Sequence, residues 1–211
     1  MEVMCGAMQQ YVPISRFNKA SVQKNKIKRL LSVRVKSICA TAMSLALLTS
    51  VHAQADRLPS HQNLKKALVE VVKEKNGGFA FNMWATVVDR DGVVRNVVHS
   101  GKNRGEQWPG SRVISAQKAN TANAFSLPGL ALSTANLFTA VQPGGSLYGL
   151  QHSNPVNIDA AYGGNSETIG TGKDPMVGKK IGGVNVFGGG LPLYDSKGKL
   201  VGAIGVSGDS S

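Results

Sequence analysis

Cysteine is scarce in this chain of 211 residues. Its two cysteines, Cys5 and Cys39, lie near the N-terminus, in a segment that we expect the mature protein to lose. A mature chain without cysteine forms no disulfide and offers no thiolate to a zinc ion or a haem iron. The chain has only four histidines and no C-x-x-C or H-E-x-x-H motif, so the sequence gives no sign of a zinc site either.

The sequence also lacks an apolar run long enough to cross a membrane. The run at residues 37–51 falls short of the roughly 20 residues that a helical span needs. A cationic stretch at 24–36 precedes it, and Ala53 and Ala55 follow it as small residues of the kind that a signal peptidase reads. We therefore expect residues 1–55 to be an upstream extension plus a cleavable signal peptide. The mature protein is then periplasmic or secreted, without a stable membrane anchor.

Acidic side chains are few, with 12 acidic residues against 24 basic ones and a net charge of +12. Residues 1–53 carry eight of the basic residues and one of the acidic ones, so the remainder has a net charge of +5. That excess is scattered, and no basic cluster is interleaved with aromatic residues, so we exclude nucleic acid as a partner. A mildly positive protein still suits a small anionic ligand.

The motifs of common enzymes are missing too. Residues 170–173 resemble part of a phosphate-binding loop, but Glu167 replaces its first glycine and Asp174 replaces its Ser or Thr. There is no G-x-S-x-G nucleophile elbow. Asp89 and Asp91 are sufficiently explained as turn residues. The sequence therefore assigns no catalytic residue.

Three segments have helical patterns. The first is predicted to begin at the N-cap Ser60 and to end at the Asn-Gly-Gly sequence of residues 76–78. Its apolar residues recur at helical spacing between positions 64 and 72. A helix of small residues is predicted over 111–125, and a further helix over 132–141.

Two segments have the pattern of β-hairpins. Turn residues at 89–92 and 195–198 separate β-rich runs within residues 79–99 and 184–206. The order of elements is thus helix, hairpin, two helices, hairpin. That order predicts an α+β domain with an antiparallel sheet flanked by helices.

Glycines interrupt both strands of the closing hairpin. They occupy positions 188–190 in its first run and Gly202, Gly205 and Gly208 in its second. Glycine inside a strand marks a bulge, a bend or a place where another group approaches the backbone closely. Two interpretations stay open here: a helix packs tightly on the glycine face, or a ligand approaches it.

Residues 142–183 form a long segment, rich in Gly, Asn and Ser, without a hydrophobic period of its own. Loops of this length are uncommon in compact domains unless they are functional or cover an interface. The segment nevertheless contains many aromatic and aliphatic residues, which disorder does not need. We interpret it as a lid or an oligomer-contact arm.

The closing hairpin, GG-x-x-x-x-GGGLPLYD-x-x-GKLVGAIGVSGD, resembles the GlcG/HbpS-like haem-binding family, which is also described as haem-degrading. AFNMWATVVDRDGVVRNVVHS resembles that family's first hairpin, SRVISAQKANTANAF its central helix, and LYGLQHSNP its mid-chain loop. The similarity covers roughly residues 58–211. It implies a profilin-like sheet, haem as the ligand and a tendency to form homo-oligomers. Family members usually continue into a C-terminal helix, so we expect the domain, residues 56–211, to be C-terminally truncated.

Four residues are candidates for contact with haem or its iron. Histidine is the usual protein ligand of haem iron, and we select His99, at the end of the second strand, and His152, which lies near Tyr148 in the long segment. Thr121 matches a threonine in the family's central helix. A threonine hydroxyl can approach iron, but in mid-helix it more often bonds back to its own turn.

Two cations near the start of the central helix, Arg112 and Lys118, are candidates for the haem propionates. The alternative for each is a solvated face of the helix. Trp84 and Trp108 could stack on a porphyrin, although burial in the core or an interface is the simpler account of both.

These patterns lead to two functional hypotheses. The first is an exported protein that binds haem or its iron in a pocket between the central helix, the sheet and the 142–183 segment. Nothing in the sequence indicates a reductase partner or redox cofactor, so binding is favoured over degradation. The alternative is an oligomeric module that senses a small anion, or acts as a scaffold, without haem chemistry.

Overall fold

A four-stranded antiparallel sheet lies at the centre of the structure, a computed structural model that describes residues 58–74 and 78–209. The strands are β1 (Trp84–Asp89), β2 (Val94–His99), β3 (Gly190–Tyr194) and β4 (Leu200–Ser207). Their spatial order is β2-β1-β4-β3, so the two hairpins join side by side through β1 and β4. The predicted α+β class is confirmed. The predicted signal peptide lies outside the described residues.

Both hairpin turns are built by an aspartate, as predicted. The Asp89 carboxylate accepts hydrogen bonds from the backbone N–H groups of Asp91 and Val93, at 2.9 and 3.0 Å. The Asp195 carboxylate accepts bonds from Lys197 and Lys199 in the same way, both at 2.9 Å. Because each aspartate satisfies the backbone of its own turn, the turn positions follow from local sequence.

Two helices cover opposite faces of the sheet. Helix α1 (His61–Val71) begins where the Ser60 hydroxyl accepts a bond from Asn63 N–H at 3.3 Å. It buries Leu64 and Leu68 in a cluster with Ala85, Val87 and Val98. Helix α2 (Ser111–Phe125) has the predicted bounds and packs on the other face. Its alanines share a core cluster with residues of β1 and β2: Trp84, Val88, Val94 and Val97.

Helix α2 lies unusually close to β4 because glycine leaves room for it. A Cβ atom placed on Gly205 would lie 2.5 Å from the backbone nitrogen of Ala119 and closer still to the carbonyl oxygen of Ser115. A Cβ on Gly190 would lie 2.6 Å from the carbonyl oxygen of Lys118. Of the two interpretations of the glycines, tight helix packing therefore holds at these two positions.

The closing hairpin is shorter than its sequence pattern predicts, since β3 begins at Gly190 rather than at Val184. Residues 184–187 cross helix α2 instead of pairing with β4. The Asn185 N–H donates to the Thr121 hydroxyl at 3.0 Å, and Val184 and Val186 join a separate core cluster. Burial against the helix thus replaces strand pairing over these residues.

The predicted helix at 132–141 is wrong. The segment forms two 3₁₀ turns, Thr134–Leu137 and Thr139–Val141. The Thr134 hydroxyl donates to the carbonyl of Phe187 at 2.6 Å and accepts from Gly190 N–H at 3.0 Å. This hydroxyl anchors the segment to the glycine-rich strand, while Leu137 and Val141 enter the core.

The 142–183 segment is part of the core rather than an appendage. It contains a short helix, α3 (Ile158–Tyr162), and a 3₁₀ turn at Ser166–Thr168. Ala161, Met176 and Ile181 are fully buried in the same cluster as the alanines of α2. Along the outer edge of β2, Gly178 N–H donates to the carbonyl of Val94 and Val94 N–H donates to the carbonyl of Lys179. Among the described residues, no helix is both long and apolar enough to span a membrane.

Candidate functional site

The first cavity, here called the junction cavity, lies where helix α2, strand β1 and the 142–183 segment meet. Its volume is about 470 Å³. Its side-chain walls are Trp84, Arg104, Pro109, Arg112, Val113, Tyr162, Ser166 and Ile169. The sequence predicted a haem pocket between the central helix, the sheet and the 142–183 segment; this cavity is lined in addition by Arg104 and Pro109 from the loop before α2.

A buried ion pair holds the 142–183 segment against α2 beside this cavity. The Arg112 guanidinium donates two bonds to the Asp174 carboxylate, one of them from Nε at 2.9 Å, and a third to the carbonyl of Ala161 at 3.0 Å. The same carboxylate accepts the N–H groups of Gly170 and Met176, at 2.8 and 2.9 Å. Arg112 therefore has its charge neutralised by protein, and its main observed role is to position the cavity wall.

Arg104 and Tyr162 lie on more open parts of the same wall. Arg104 donates to the carbonyl of Ser166 and lies 3.9 Å from the exposed carboxylate of Glu167. A long, exposed ion pair neutralises little charge, so Arg104 supplies an accessible cation. Tyr162 is 66% exposed and brings a phenol to the wall. The sequence reasoning did not select these two as site residues. The only signal for them was their place in glycine-rich stretches of the sequence.

His99 is buried next to the junction cavity without lining it. Its ring packs edge-on against Trp84 at 5.1 Å between centroids, and Trp84 forms the wall. Its Nδ1 lies 3.1 Å from the carbonyl oxygen of Gly101, which can only accept, so Nδ1 carries the proton. Burial, assisted by the nearby Lys65 ammonium, lowers the pKa of His99. The ring is therefore neutral at pH 7, and its Nε2 lies against Gly170.

Thr121 is fully buried, and its hydroxyl is already engaged twice. It donates to the carbonyl of Gln117 at 2.8 Å and accepts from Asn185 N–H at 3.0 Å. The back-bond to its own turn is the alternative that the sequence left open. In the structure this residue ties the 184–187 crossing segment to helix α2, and it lines neither cavity described here.

His152 and Tyr148 lie together in an exposed turn of the 142–183 segment. Tyr148 is 67% exposed. Neither residue lines either of the two cavities. The structure therefore brings only Arg112, of the six sequence candidates, to the wall of the junction cavity.

Lys118 lines a different cavity, here called the Lys118 cavity, with a volume of about 420 Å³. Its walls are Trp108, Ser111, Ile114, Lys118, Phe187, Gly188, Ser207, Gly208 and Asp209. The two cations that were expected to meet one ligand are thus separated. Helical geometry accounts for this, because six residues at 100° each place Arg112 and Lys118 on different faces of α2.

Burial lowers the pKa of Lys118 to about 8. The unfolded chain keeps this amine protonated up to its ordinary pKa near 10.4. Between these values the unfolded state binds more protons, so the contribution of Lys118 to stability rises with pH. Relative to a Lys118→Met variant, we expect the wild type to gain on the order of 2 kcal/mol from pH 7 to pH 10. Urea denaturation of both proteins at the two pH values measures this, and an unchanged difference would contradict it.

The described residues form an α+β domain with a cavity on each of two faces of its central helix. Comparison with known families assigns it: residues 60–211 match the model described as "Haem degrading protein HbpS-like", and this covers most of the chain. The chain belongs to the HbpS-like family, which confirms the resemblance found in its sequence.

Two solved structures are similar to the chain. The crystal structure of a PduOC:heme complex is 25% identical, with 70% of this chain and 78% of that chain covered and a TM-score of 0.46. The crystal structure of Klebsiella pneumoniae protein ORFY, assigned to family model DUF336, is 24% identical, with 89% and 86% covered and a TM-score of 0.40. No curated protein sequence matches the chain.

Proposed function

We propose that this protein is exported and binds haem in the junction cavity. The observation that carries the proposal is the composition of the cavity wall. It combines an apolar surface from Trp84, Val113 and Ile169 with an accessible cation, Arg104, and a phenol, Tyr162. Haem needs these three elements, since it is a flat apolar ring with carboxylates at one edge and an iron that accepts a protein ligand.

The cavity suits such a ligand in size and charge. Its volume of about 470 Å³ falls within the roughly 300–1,000 Å³ that is usual for ligand sites. Arg104 is the residue to bind a propionate, because Arg112 is held by Asp174. Charge-assisted hydrogen bonds from a guanidinium to a carboxylate are among the strongest available to a protein.

Tyr162 is the residue that we assign to the iron. Histidine, cysteine, methionine and tyrosine are the usual protein ligands of haem iron, and among the residues lining the junction cavity Tyr162 is the one of these types. His99 is neutral and close, but Trp84 rather than His99 forms the wall. Bound haem supplies the iron chemistry; the protein's part is to hold the ring and its carboxylates.

The test is a haemin titration of the full chain, followed by visible absorption. We expect a saturable Soret shift at one haem per chain, a changed spectrum in Tyr162→Phe, and about tenfold weaker binding in Arg104→Met, equal to about 1.4 kcal/mol. Tyr148→Phe is the matched control, because the two tyrosines are equally exposed and Tyr148 lies outside the cavity. All variants carry Cys5→Ser and Cys39→Ser, which removes thiolates that could bind haem.

Two results would contradict the proposal. Non-saturable haem adsorption by the wild type would contradict haem binding and favour the alternative, a small-anion sensor or scaffold. Saturable binding with wild-type spectra and affinity in both Tyr162→Phe and Arg104→Met would place haem elsewhere on the protein.

A further inference from the structure

The Lys118 cavity contains hydrogen-bond donors that the protein does not use. Lys118, Ser111 and Ser207 are only 6%, 4% and 9% exposed. The Lys118 ammonium makes one hydrogen bond, to the carbonyl of Val206 at 3.0 Å. Within residues 58–74 and 78–209, the hydroxyls of Ser111 and Ser207 have no hydrogen-bond partner, and Lys118 forms no ion pair. Three buried polar side chains thus line one cavity with donors to spare.

The donors open onto the cavity, where water or a ligand can reach them, because no fully buried side-chain nitrogen or oxygen among the described residues lacks a hydrogen-bond partner. An ammonium group carries three donors, and burying a charge without a counter-charge is unfavourable. Burial without an anionic neighbour is what lowers the pKa of Lys118 to about 8. An acceptor with negative charge and several lone pairs would satisfy the ammonium and both hydroxyls together, and a carboxylate has this chemistry.

The remaining walls indicate what the carboxylate is attached to. Trp108 and Phe187 contribute partly exposed aromatic rings, and Ile114 adds an aliphatic surface. Gly188 and Gly208 line the cavity without side chains, which lets a ligand approach the backbone. Ligand approach fits Gly188, where an added Cβ would meet only the Ala135 side chain at 3.9 Å, whereas Gly208 is explained by the backbone of residues 82–83, which an added Cβ would meet at 2.7–2.8 Å. Ser111, Ile114 and Lys118 are spaced at i, i+3 and i+7, so one face of α2 supplies the polar and apolar contacts.

Asp209 is the other ionisable residue of the cavity lining. Its carboxylate accepts the backbone N–H groups of Phe79 and Phe81, at 2.8 and 3.1 Å. These bonds hold it at the end of β4 and partly compensate its charge, so it does not replace the missing anion at Lys118.

We propose that the Lys118 cavity binds a small aromatic carboxylate. Lys118, Ser111 and Ser207 donate to its carboxylate, and its ring lies against Trp108 and Phe187. The site does not depend on haem binding, because the Lys118 cavity and the junction cavity share no lining residue. A haem propionate offers the same carboxylate chemistry as a free acid, so the test must separate the two sources.

Isothermal titration calorimetry of the full chain with benzoate tests the proposal, with benzyl alcohol as the uncharged probe. We expect saturable binding of benzoate at one per chain and at least tenfold weaker binding of benzyl alcohol. Lys118→Met should weaken benzoate binding at least tenfold while keeping the length of the side chain. Lys197→Met, in the exposed β3–β4 turn, is the matched control and should bind benzoate like the wild type.

Two further measurements, on a double serine variant and over a range of pH, complete the test. Ser111→Ala combined with Ser207→Ala should also weaken benzoate binding, and it decides the matter if Lys118→Met fails to fold. Benzoate affinity should fall as the pH rises above about 8, because the ammonium of Lys118 loses its proton there. Benzoate itself stays ionised over that range.

Three outcomes would overturn the proposal. One is equal binding of benzoate and benzyl alcohol, which would show an apolar site without anion recognition. Another is unchanged benzoate affinity in both the lysine and the serine variants. The third is loss of benzoate binding in haem-saturated protein, which would assign the donors to a haem propionate. Failure of haem to bind, with benzoate still bound, would contradict only the proposed function.

Discussion

Asp174→Ala is expected to lower the free energy of unfolding by about 3–5 kcal/mol, because it leaves the buried Arg112 guanidinium without its counter-charge. The loss extends beyond the ion pair, since the N–H groups of Gly170 and Met176 lose their acceptor as well. Total stabilities of about 5–15 kcal/mol are usual for domains, so this one change would bring the protein close to unfolding. Urea denaturation monitored by circular dichroism measures the effect.

The ion pair of Arg104 and Glu167 supplies the control. Glu167 is exposed, and its carboxylate lies 3.9 Å from the guanidinium, so Glu167→Ala should cost less than about 1 kcal/mol. A double variant, Arg112→Met with Asp174→Leu, should recover part of the loss, because replacing both partners leaves no buried charge. Equal stability of Asp174→Ala and Glu167→Ala would show that the buried pair does not hold the segment.

Gly205→Ala is expected to cost about 3 kcal/mol, because a new Cβ would meet helix backbone rather than a movable side chain. The obstacle consists of the Ala119 nitrogen, at 2.5 Å, and the Ser115 carbonyl. Accommodating the methyl group means shifting helix α2 away from β4, which opens the main core. Thermal denaturation should show a clearly lowered midpoint.

Gly172→Ala is the matched control for this substitution. A Cβ on Gly172 meets nothing within 4 Å, and its φ is not in the left-handed region. Its stability should stay within about 0.5 kcal/mol of the wild type. A Gly205→Ala protein that melts like Gly172→Ala would mean that the helix and strand are not in the close contact described.

Sequence reasoning succeeded where the cause of a structure is local. Ser60 caps its helix and Asp89 and Asp195 close their turns through bonds that span two to four residues. Helix α2 has the predicted bounds, and its alanines at 116, 119 and 122 recur every three residues and enter one core cluster. Sequence reasoning failed where residues distant in the chain compete to bond the same backbone groups. In the β-rich residues 184–187, the backbone bonds to Thr121 instead of pairing with β4. Residues 132–141 are held in 3₁₀ turns, with the Thr134 hydroxyl bonded to the carbonyl of Phe187.

At the candidate site, too, local sequence predicted some features of individual residues, and residues distant in the chain decided the others. Arg112 was selected as a cation for the haem propionates, but its charge is neutralised by Asp174, which lies 62 positions away in the sequence. Lys118 was assigned to the same ligand and lies in a different cavity. Tyr162 and Arg104 were missed as site residues because only the tertiary structure brings the short helix α3 and the loop before α2 together. Of these outcomes, the separation of Arg112 and Lys118 could have been predicted, since it follows from helical spacing alone.

The sequence by itself determined the α+β class, the turns, the N-cap of the first helix, the bounds of the central helix and the membership of the HbpS-like family, because these depend on short-range bonds and on the order of motifs along the chain. Only the tertiary structure decided that residues 142–183 complete the core, that Thr121 is a structural tie, and that two cavities with different donors flank helix α2. The physical reason is that burial and pairing of polar groups are settled by neighbours in space. A lysine is a binding group or a solvated one according to what surrounds its amine, and only the fold assembles those surroundings.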